Sequence, residues 1–342
     1  MPIKMSDFAK QVYACFACIG EKEIQVFPHA RVDGDCVGSA VTLAMALRKL
    51  GLPSRVMLEC EIPPRLSFMH VPEDVLCIVS EKNQKACEES QGIAFAVDCS
   101  EGHRMGACEV LFEKAQTKIV IDHHISAEPD LKYAYVDPKS ASTAELIYNF
   151  LRELEEITEV TLLDAFAANC LMVGIQSDSG RFSFENTGAV TFRIAADLME
   201  LGANVADNAY YLFDESSKGK VLLHGMALSN MSLYADDRIA ITKITNKMVE
   251  ETGAPEGAAD GIANLLRDID TVLAAFVVRE SEDGSLRVNC RSKEGFDAAA
   301  FAQTMGGGGH HRASGFTGRN VAIDDFVKEI IEKAQAWLEK HE

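Results

Sequence analysis

Short apolar runs alternate with amphipathic stretches along the N-terminal half of the chain. Apolar or β-branched runs predict strands, whereas apolar positions that recur about every three or four residues predict helices. The predicted strands are 24–27, 54–58, 93–97 and 118–121, and the predicted helices are about 5–19, a stretch that ends at Gly51, 142–155 and 162–174. Strands that alternate with helices in this way indicate a doubly wound, mostly parallel sheet.

The pattern changes in the C-terminal half. Positions from about 189 to 230 are helical in pattern, and the alternation of strands and helices then resumes. Strands are predicted at 239–244, 272–279 and 286–290, followed by a helix, four glycines at 306–309 and a final helix from about 323. We therefore predict an α/β protein with a doubly wound N-terminal domain at 1–190, a helical connector at 191–230 and a smaller α/β domain at 231–342. The active site is expected in the cleft between the two domains.

Composition narrows the class of protein. With 342 residues, 47% of them hydrophobic and 25% charged, the chain is an ordinary globular protein. No apolar run approaches the roughly 20 residues of a membrane helix, and the N-terminus lacks the order of a signal peptide, so we expect a cytoplasmic protein without membrane contact. The ten cysteines show no paired framework, which favours buried free thiols over the alternative of disulfides.

The net charge of −19 bears on the substrate. A protein that grips long nucleic acid needs a basic surface, because its cations replace the counterions of the phosphates. An acidic chain can still bind one or two phosphates where positive charge is local or is supplied by metal ions. The charge therefore predicts a small substrate and excludes long duplex nucleic acid.

Acidic and histidine residues stand where the predicted strands end. These residues are His29, Asp33 and Asp35 after the first strand, Asp98 after another, Asp122, His123 and His124 after a third, and Asp178 after helix 162–174. Taken singly, Asp98 or Asp178 is explained equally well as a helix cap or turn residue, and His29 as a satisfied polar group. Because the carboxyl ends of parallel strands meet at one edge of a sheet, we expect all of them to lie together.

Such a group of carboxylates predicts a site for metal ions. The carboxylates would repel one another and raise one another's pKa, and divalent cations at the centre remove that repulsion. Carboxylates mixed with imidazoles favour Mn²⁺, with Mg²⁺ as the alternative, and no thiolate-rich zinc site is offered. His29 precedes Asp33 by four positions and Asp35 follows it by two, so one loop can serve two neighbouring ions that a shared carboxylate bridges.

Five segments resemble the motifs of the DHH family of phosphoesterases, in the order of that family. They are HARVDGDCVGSA, AVDCS, IDHHIS, which resembles the triplet that names the family, GIQSDSGRFSFENT, and RSKEGFDAAAFAQTMGGGGHHRASG, which resembles the DHH-associated C-terminal domain. The resemblance covers nearly the whole chain and is strongest to the bifunctional oligoribonuclease/pAp phosphatase group. The chain departs from the family at Val32, where proline is frequent, and at Ser179, where threonine is usual.

The resemblance implies a role for each residue at the strand ends. His29, Asp33 and Asp98 would hold one ion, and Asp35, Asp98, His123 and Asp178 would hold the second, with Asp98 as the bridge. His124 would face the substrate phosphate or the leaving group, and Asp122 would orient the histidines. We expect Gly38 and Ser39 to shape the first loop and cap its helix, and Ser142 or Thr143 to cap helix 142–155.

The glycine run at 306–309 is followed at once by His310. A flexible linker is the alternative interpretation, but glycines also let backbone N–H groups approach an anion closely. We interpret the segment as a phosphate clamp that holds the far end of the substrate, as the family resemblance implies. The predicted clamp consists of Arg291, Ser292, Gly306, Gly307, Gly308, Gly309 and His310.

The resemblance implies a two-metal hydrolase that cleaves 3′-phosphoadenosine 5′-phosphate (pAp) or oligoribonucleotides of about two to five units to mononucleotides, in keeping with the acidic surface. A phosphodiesterase for cyclic or linear dinucleotides, such as cyclic di-AMP or pApA, would use the same residues and stays open. A non-catalytic nucleotide-binding protein of the same fold is a further alternative. The sequence also leaves open whether the chain forms a homodimer.

Overall fold

The computed structural model describes residues 3–124, 131–281 and 283–341 of the chain. The chain divides into two compact units, with the boundary between Glu215 and Ser216. This boundary lies inside the segment 191–230 that the sequence predicts as a connector, so the helices of that segment belong partly to each unit. None of the helices in the described ranges is both long and apolar enough to span a lipid bilayer.

The first unit is built on a six-stranded sheet in which neighbouring strands are parallel. Its strands are β1 (Glu23–Phe27), β2 (Ser54–Leu58), β3 (Leu76–Ile78), β4 (Gln91–Val97), β5 (Thr117–Asp122) and β6 (Tyr133–Val136). The spatial order is β3-β2-β1-β4-β5-β6, so the direction in which strands are added reverses between β1 and β4. Such a switch point leaves a crevice at the carboxyl ends of the two strands, where ligands bind.

Helices cover both faces of this sheet because its central strands are apolar on both faces. In β4, Ile93, Phe95 and Val97 enter the core beneath α1, α2, α5 and α6, and Ala94 and Ala96 enter the core on the side of α3 and α4. The helices of the unit are α1 (Met5–Phe16), α2 (Gly34–Lys49), α3 (Gln84–Ser90), α4 (Glu109–Lys114), α5 (Thr143–Thr158), α6 (Ala165–Asp178), α7 (Ala189–Glu200) and α8 (Val205–Ala209). This burial on both faces is typical of parallel sheets.

The predicted doubly wound, parallel architecture of the first unit is confirmed. The apolar pattern does not predict β3 and β6, the two edge strands, whose side chains are mostly half-exposed. The helix predicted at 162–174 extends further, to Asp178. Asp178 is therefore the last residue of α6, rather than a residue of the loop that follows it.

The second unit contains a mixed sheet with the order β11-β12-β10-β9-β8-β7, in which only β8 and β9 are parallel among the described strands. The strands are β7 (Ser232–Tyr234), β8 (Ile239–Ile244), β9 (Ala274–Glu280), β10 (Leu286–Ser292), β11 (Gly308–His310) and β12 (Ala313–Gly318), and the helices are α9 (Lys218–Ser229), α10 (Asn246–Thr252), α11 (Ile262–Arg267), α12 (Ala298–Thr304) and α13 (Ile323–His341). In β9, Phe276 and Val278 pack with α12 and α13, while Ala275 and Val277 pack with α9, α10 and α11. The predicted smaller α/β domain is confirmed.

Candidate metal centre and anion-binding surface

The loop after β1 carries His29 and Asp33 to the switch point of the first sheet. His29 is buried, and Asp33 is the N-cap of α2. Asp33 Oδ1 accepts hydrogen bonds from the backbone N–H groups of Asp35 (3.1 Å) and Cys36 (3.0 Å). The other oxygen, Asp33 Oδ2, lies 3.5 Å from His29 Nε2. The carboxylate of Asp33 therefore caps α2 with one oxygen and faces the imidazole of His29 with the other.

Asp98 follows β4 directly and lies between two histidines. Its oxygen Oδ2 is 3.2 Å from His29 Nε2, and its oxygen Oδ1 is 3.6 Å from His123 Nε2. The backbone of Asp98 is in the left-handed region, with φ of +59°. This conformation is uncommon outside glycine, and residues held in it occur in turns and cluster at active sites. The position is the one that a bridging ligand requires, and the bridging role itself stays a prediction.

His123 faces three carboxylates through one nitrogen. Its atom Nε2 lies 3.1 Å from Asp178 Oδ2, 3.6 Å from Asp98 Oδ1 and 3.9 Å from Asp35 Oδ2. This nitrogen is buried. None of the three contacts has hydrogen-bond geometry, and the nitrogen has no other hydrogen-bond partner among the described residues. Buried polar atoms normally have a hydrogen-bond partner, so an unpartnered imidazole nitrogen among carboxylates fits a position next to a cation.

Asp35 is completely buried at the start of α2 and is held by the start of α5. Its carboxylate accepts hydrogen bonds from the backbone N–H groups of Thr143 (2.7 Å) and Ala144 (2.9 Å) and from Ser39 Oγ (3.2 Å). The N-terminus of a helix favours negative charge, because its first N–H groups have no partner inside the helix. Ser39, like Gly38, lies within α2 rather than in the loop where we expected it.

The two residues expected to cap α5 have different roles. Ser142 is the N-cap, and its Oγ accepts a hydrogen bond of 3.3 Å from Glu145 N. Thr143 instead donates its hydroxyl to Asp98 Oδ1 over 2.8 Å. Capping alone therefore does not describe Thr143, which contacts two of the predicted metal ligands, Asp35 and Asp98.

The carboxylates and imidazoles shift one another's pKa. Burial raises the pKa of Asp35 well above its usual value, and the charges of Asp98 and Asp178 raise it further. Burial also raises the pKa of Asp98. For His123, burial alone would lower the pKa, but the neighbouring carboxylates, Asp178 first, raise it to about 10. Burial alone would also lower the pKa of His29, but hydrogen bonds to neighbouring carboxylates outweigh burial and raise it.

Three groups of side chains offer ligand atoms within 4.8 Å of one another. They are His29, Asp33 and Cys36; Asp98, His123 and His124; and Asp35, His123 and Asp178. All six predicted metal ligands belong to these groups, and the mixture of carboxylates and imidazoles suits a divalent cation. Cys36, a free thiol that the sequence analysis does not single out, lies with its Sγ 3.3 Å from Asp33 N, and burial raises its pKa to about 12.

His124 lies between an anion and a cation. Asp122 Oδ1 accepts hydrogen bonds from His124 Nδ1 (2.8 Å) and His124 N (3.1 Å). Burial alone would raise the pKa of Asp122, but these hydrogen bonds lower it to about 2. On the other side of the ring, His124 Nε2 lies 3.3 Å from Nη2 of Arg104. Arg104 is not predictable from the sequence, because a lone arginine in a polar segment belongs to no recognisable pattern. Ile125 and Ser126 of the same motif lie outside the described residues.

The predicted clamp residues lie together in the second unit, on β10 and β11 with β12 between them. Arg291 pairs with Ala313, which pairs in turn with His310. Residues that pair directly across strands project from the same face of a sheet, so Arg291 and His310 share a face. Ser292 is buried, and its Oγ donates a hydrogen bond of 3.3 Å to His311 O. This hydrogen bond links the end of β10 to the segment between β11 and β12.

The glycine run is not a linker: Gly306 and Gly307 lie in the turn between α12 and β11, and Gly308 and Gly309 lie in β11. A Cβ atom at Gly307 would lie 2.2 Å from Gly315 O, and one at Gly309 would lie 2.5 Å from Ser314 Cα. These glycines therefore allow β11 to pack closely against β12. The structure brings the predicted clamp residues together, and their binding of phosphate stays a prediction.

Each of the two parts of the chain matches the sequence model of a known domain family. Residues 23–175 match the sequence model of the DHH family, N-terminal domain, and residues 236–340 match that of the DHHA1 domain. The chain is 28% identical to the bifunctional oligoribonuclease and PAP phosphatase NrnA of Thermus thermophilus, over 93% of this chain and 91% of that one. It is 27% identical to the protein of the same name from Bacillus subtilis, over 92% and 94%. The cyclic-di-AMP phosphodiesterase PdeA of Listeria monocytogenes is 26% identical over 66% of this chain and 33% of its own.

Solved structures share the fold. An exopolyphosphatase-related protein from Bacteroides fragilis superposes with a TM-score of 0.81 at 22% identity, over 97% of this chain and 98% of that one. RecJ in complex with Mn²⁺ from Thermus thermophilus superposes with a TM-score of 0.55 at 14% identity, over 99% of this chain and 55% of that one. At these identities the likeness concerns the fold alone.

Proposed function

The chain is a phosphoesterase of the DHH family with a DHHA1 domain, and we propose that it hydrolyses short oligoribonucleotides and pAp to mononucleotides. The observation that carries the proposal is the convergence of six candidate metal ligands at the switch point of the first sheet. The substrate class is supported by the two relatives named NrnA, whose alignments with this chain cover more than nine-tenths of both proteins.

We assign the six candidate ligands to two divalent ions. One ion would be held by His29, Asp33 and Asp98, and the other by Asp35, Asp98, His123 and Asp178, in keeping with the short distances of the two histidines from these carboxylates. Mn²⁺ is favoured over Mg²⁺, because two of the ligands are imidazoles. When bound, such ions supply positive charge to the phosphoryl oxygens and lower the pKa of water at the site. The buried Nε2 of His123, which has no hydrogen-bond partner in the part of the chain that the structure describes, supports this assignment.

His124 and Asp122 act on the substrate side of the centre in this proposal. Asp122, with a pKa of about 2, is ionised and holds the Nδ1–H group of His124. The opposite edge of the ring, where Nε2 lies 3.3 Å from Arg104 Nη2, is then on the side of the phosphate or the leaving oxygen in this proposal. The start of α5 keeps Asp35 in place through two backbone N–H groups.

In this proposal the predicted clamp residues of the second unit bind a phosphate of the substrate. Arg291 and His310 share a sheet face beside the glycine turn, where a phosphate can accept hydrogen bonds from a guanidinium and from backbone N–H groups. A net charge of −19 favours substrates with few phosphates, because longer RNA would meet repulsion. We propose a cytoplasmic protein that acts on small nucleotides.

The test is a substrate panel with the purified chain. We expect Mn²⁺-dependent release of mononucleotides from pAp and from dinucleotide RNA, and loss of the activity after chelation. His123→Ala should lower kcat by at least about 100-fold. His341→Ala, which removes an exposed histidine at the end of α13, is the control and should keep full activity. Turnover of neither substrate, or unchanged hydrolysis by His123→Ala, contradicts the proposal.

A second candidate is a phosphodiesterase for cyclic di-AMP or its linear product pApA. The observation that favours it is the similarity to PdeA, which extends over 66% of this chain. The same metal ligands and clamp would serve that reaction. Including both dinucleotides in the panel separates the two candidates, since their turnover without turnover of pAp or dinucleotide RNA replaces the first proposal with the second.

A further inference from the structure

Beside the candidate metal centre, the first unit contains a cavity of about 530 Å³. Its lining includes Asp33 and His124 of the centre, and also Arg31, His103 and Arg104, to which the proposed function gives no role. A cavity of this size suits a ligand as large as a nucleotide. The two arginines concentrate positive charge at this place in a chain whose net charge is −19.

The backbone around Arg104 is hydrogen-bonded to the loop that carries His29 and Asp33 and to a neighbouring carboxylate. Arg104 O accepts a hydrogen bond of 2.7 Å from Ala30 N, next to His29 in the sequence. Ala107 N donates a hydrogen bond of 2.8 Å to Glu59 Oε2. Between them, Gly106 has a φ of +59°, and a Cβ atom there would lie 1.9 Å from the same Glu59 oxygen. Only glycine fits this bend. The hydrogen bonds on either side of it hold the backbone of Arg104 in a defined conformation.

The contact between Arg104 and His124 has one possible direction. A guanidinium only donates hydrogen bonds, and ionised Asp122 only accepts them. His124 therefore donates from Nδ1 to Asp122 and accepts at Nε2 from Arg104, over 3.3 Å. The Arg104 guanidinium has five N–H groups, and among the described residues it makes no other side-chain hydrogen bond. With respect to the described residues, the other N–H groups can donate to a ligand in the cavity.

We propose that Arg104 binds a non-bridging oxygen of the substrate phosphate and makes this cavity a phosphate subsite of the first unit. The inference rests on the proposed function, because it assumes a phosphate ester as substrate. Guanidinium and phosphate form charge-assisted, often paired hydrogen bonds. Such a contact strengthens as negative charge develops on the phosphoryl oxygens, so it acts on the transition state more than on the bound substrate.

The kinetic test compares Arg104→Ala and Arg104→Lys with the wild-type full chain, all with Mn²⁺, on pAp and dinucleotide RNA. We expect kcat of Arg104→Ala to fall on the order of 100-fold while KM changes far less. Arg104→Lys should restore part of the rate, because it keeps the charge and loses the planar fork. Guanidinium chloride at a non-denaturing concentration should rescue Arg104→Ala, since it returns the missing group.

The binding test uses AMP and adenosine as probes in isothermal titration calorimetry. Arg104→Ala should lose about tenfold in affinity for AMP, which is about 1.4 kcal/mol, and nothing in affinity for adenosine. The matched control is Arg152→Ala, which removes an exposed arginine of α5 that pairs with Glu155 and should change none of these values. Gly106→Ala keeps the guanidinium but displaces its loop, so it should lower kcat without rescue by guanidinium.

Unchanged kcat and unchanged AMP affinity in folded Arg104→Ala, with folding checked by thermal unfolding, would overturn the proposal. Equal losses of AMP and adenosine affinity would also overturn it, because the phosphate would then not be the group that Arg104 contacts. If the wild type turns over neither substrate, the proposed function fails, and the comparison of AMP with adenosine still decides whether Arg104 binds a phosphate.

Discussion

Thr143 links the buried carboxylate of Asp98 to the start of α5 through a hydrogen bond of 2.8 Å. Thr143→Val keeps the shape of the side chain and removes the donor, which leaves Asp98 Oδ1 without this partner. We expect the free energy of unfolding of the chelated protein to fall by about 1–3 kcal/mol in urea titrations. Thr143→Ser keeps the hydroxyl and is the control. A valine variant as stable as the serine variant would contradict the prediction.

Asp122 contributes stability that depends on pH. Although burial alone would raise its pKa, hydrogen bonds from His124 lower it from the usual 3.8 to about 2. A carboxyl with a lowered pKa in the folded state stabilises the protein above its unfolded pKa, and the contribution is lost as the pH falls through the folded pKa. The lowering of the pKa corresponds to about 2 kcal/mol. We expect Asp122→Asn to lose less stability than the wild type between about pH 5 and pH 2 in urea titrations. Parallel losses would contradict this.

Asp35 behaves in the opposite way in the metal-free protein, because burial, Asp98 and Asp178 raise its pKa. The unfolded chain then releases this proton at a lower pH than the folded protein. Stability therefore falls as the pH rises from the unfolded pKa of about 3.9 towards the folded one. A divalent cation reverses the effect, since it binds the ionised carboxylate and competes with the proton.

We therefore expect Mn²⁺ to raise the Tm more at about pH 8 than at about pH 6. Differential scanning calorimetry with and without chelator measures the difference. Asp35→Asn removes one titrating ligand, while His123, with a pKa of about 10, still releases a proton on binding, so the variant should reduce both the rise in Tm and its dependence on pH. An equal rise at both pH values in the wild type would show that proton displacement does not govern binding.

Among the helices, α2, α5 and α6 meet closely enough that Gly174 has no room for a side chain. A Cβ atom at Gly174 would lie 2.7 Å from both Asp35 Oδ1 and Ala144 Cβ. Gly174→Ala should lower the free energy of unfolding by about 1–3 kcal/mol, because the core is overpacked. Gly225 of α9 is the matched control, because nothing lies within 4 Å of its Cβ position. Gly225→Ala should instead stabilise by up to about 1 kcal/mol through helix propensity. Chemical denaturation of both variants checks the opposite signs.

The central strands of the first sheet are predictable from the sequence, whereas the edge strands β3 and β6 are not, and both results have one physical reason. A strand buried on both faces is a continuous apolar run, as β4 is, whereas β3 and β6 are short and mostly half-exposed. The end of α6 is misjudged because its apolar pattern stops at Ile175, while the helix continues through polar residues to Asp178. Those residues are polar where the helix approaches the candidate site.

The six candidate ligands can be grouped from sequence, because the order of strands and helices already implies a common sheet edge. Thr143 and Arg104 cannot be predicted in this way. Thr143 reaches Asp35 across 108 positions of sequence, and Arg104 depends on a bend at Gly106 that no periodic pattern signals. Contacts of this kind are fixed by loop geometry, which apolar periodicity does not describe.

For the whole molecule, the acidity predicts a weak dependence of activity on salt. With about two phosphate contacts per substrate, kcat/KM for dinucleotide RNA should fall by less than about tenfold between 50 and 200 mM KCl. A nuclease that contacts six to ten phosphates would lose about 10³–10⁵ in affinity over the same range. Steady-state kinetics at both salt concentrations measures the ratio, and a fall of several orders of magnitude would indicate an extended basic surface.

Asp33 divides its two carboxylate oxygens between the N-cap of α2 and the side that faces His29. Asparagine keeps an oxygen for the cap and gives up the negative charge, and a single nucleotide change converts an aspartate codon into an asparagine codon. Evolution can therefore separate catalysis from folding at this position in one step. A descendant that carried this change would keep its helix and its fold with a weakened metal centre, which is a short route from an enzyme to a nucleotide-binding protein.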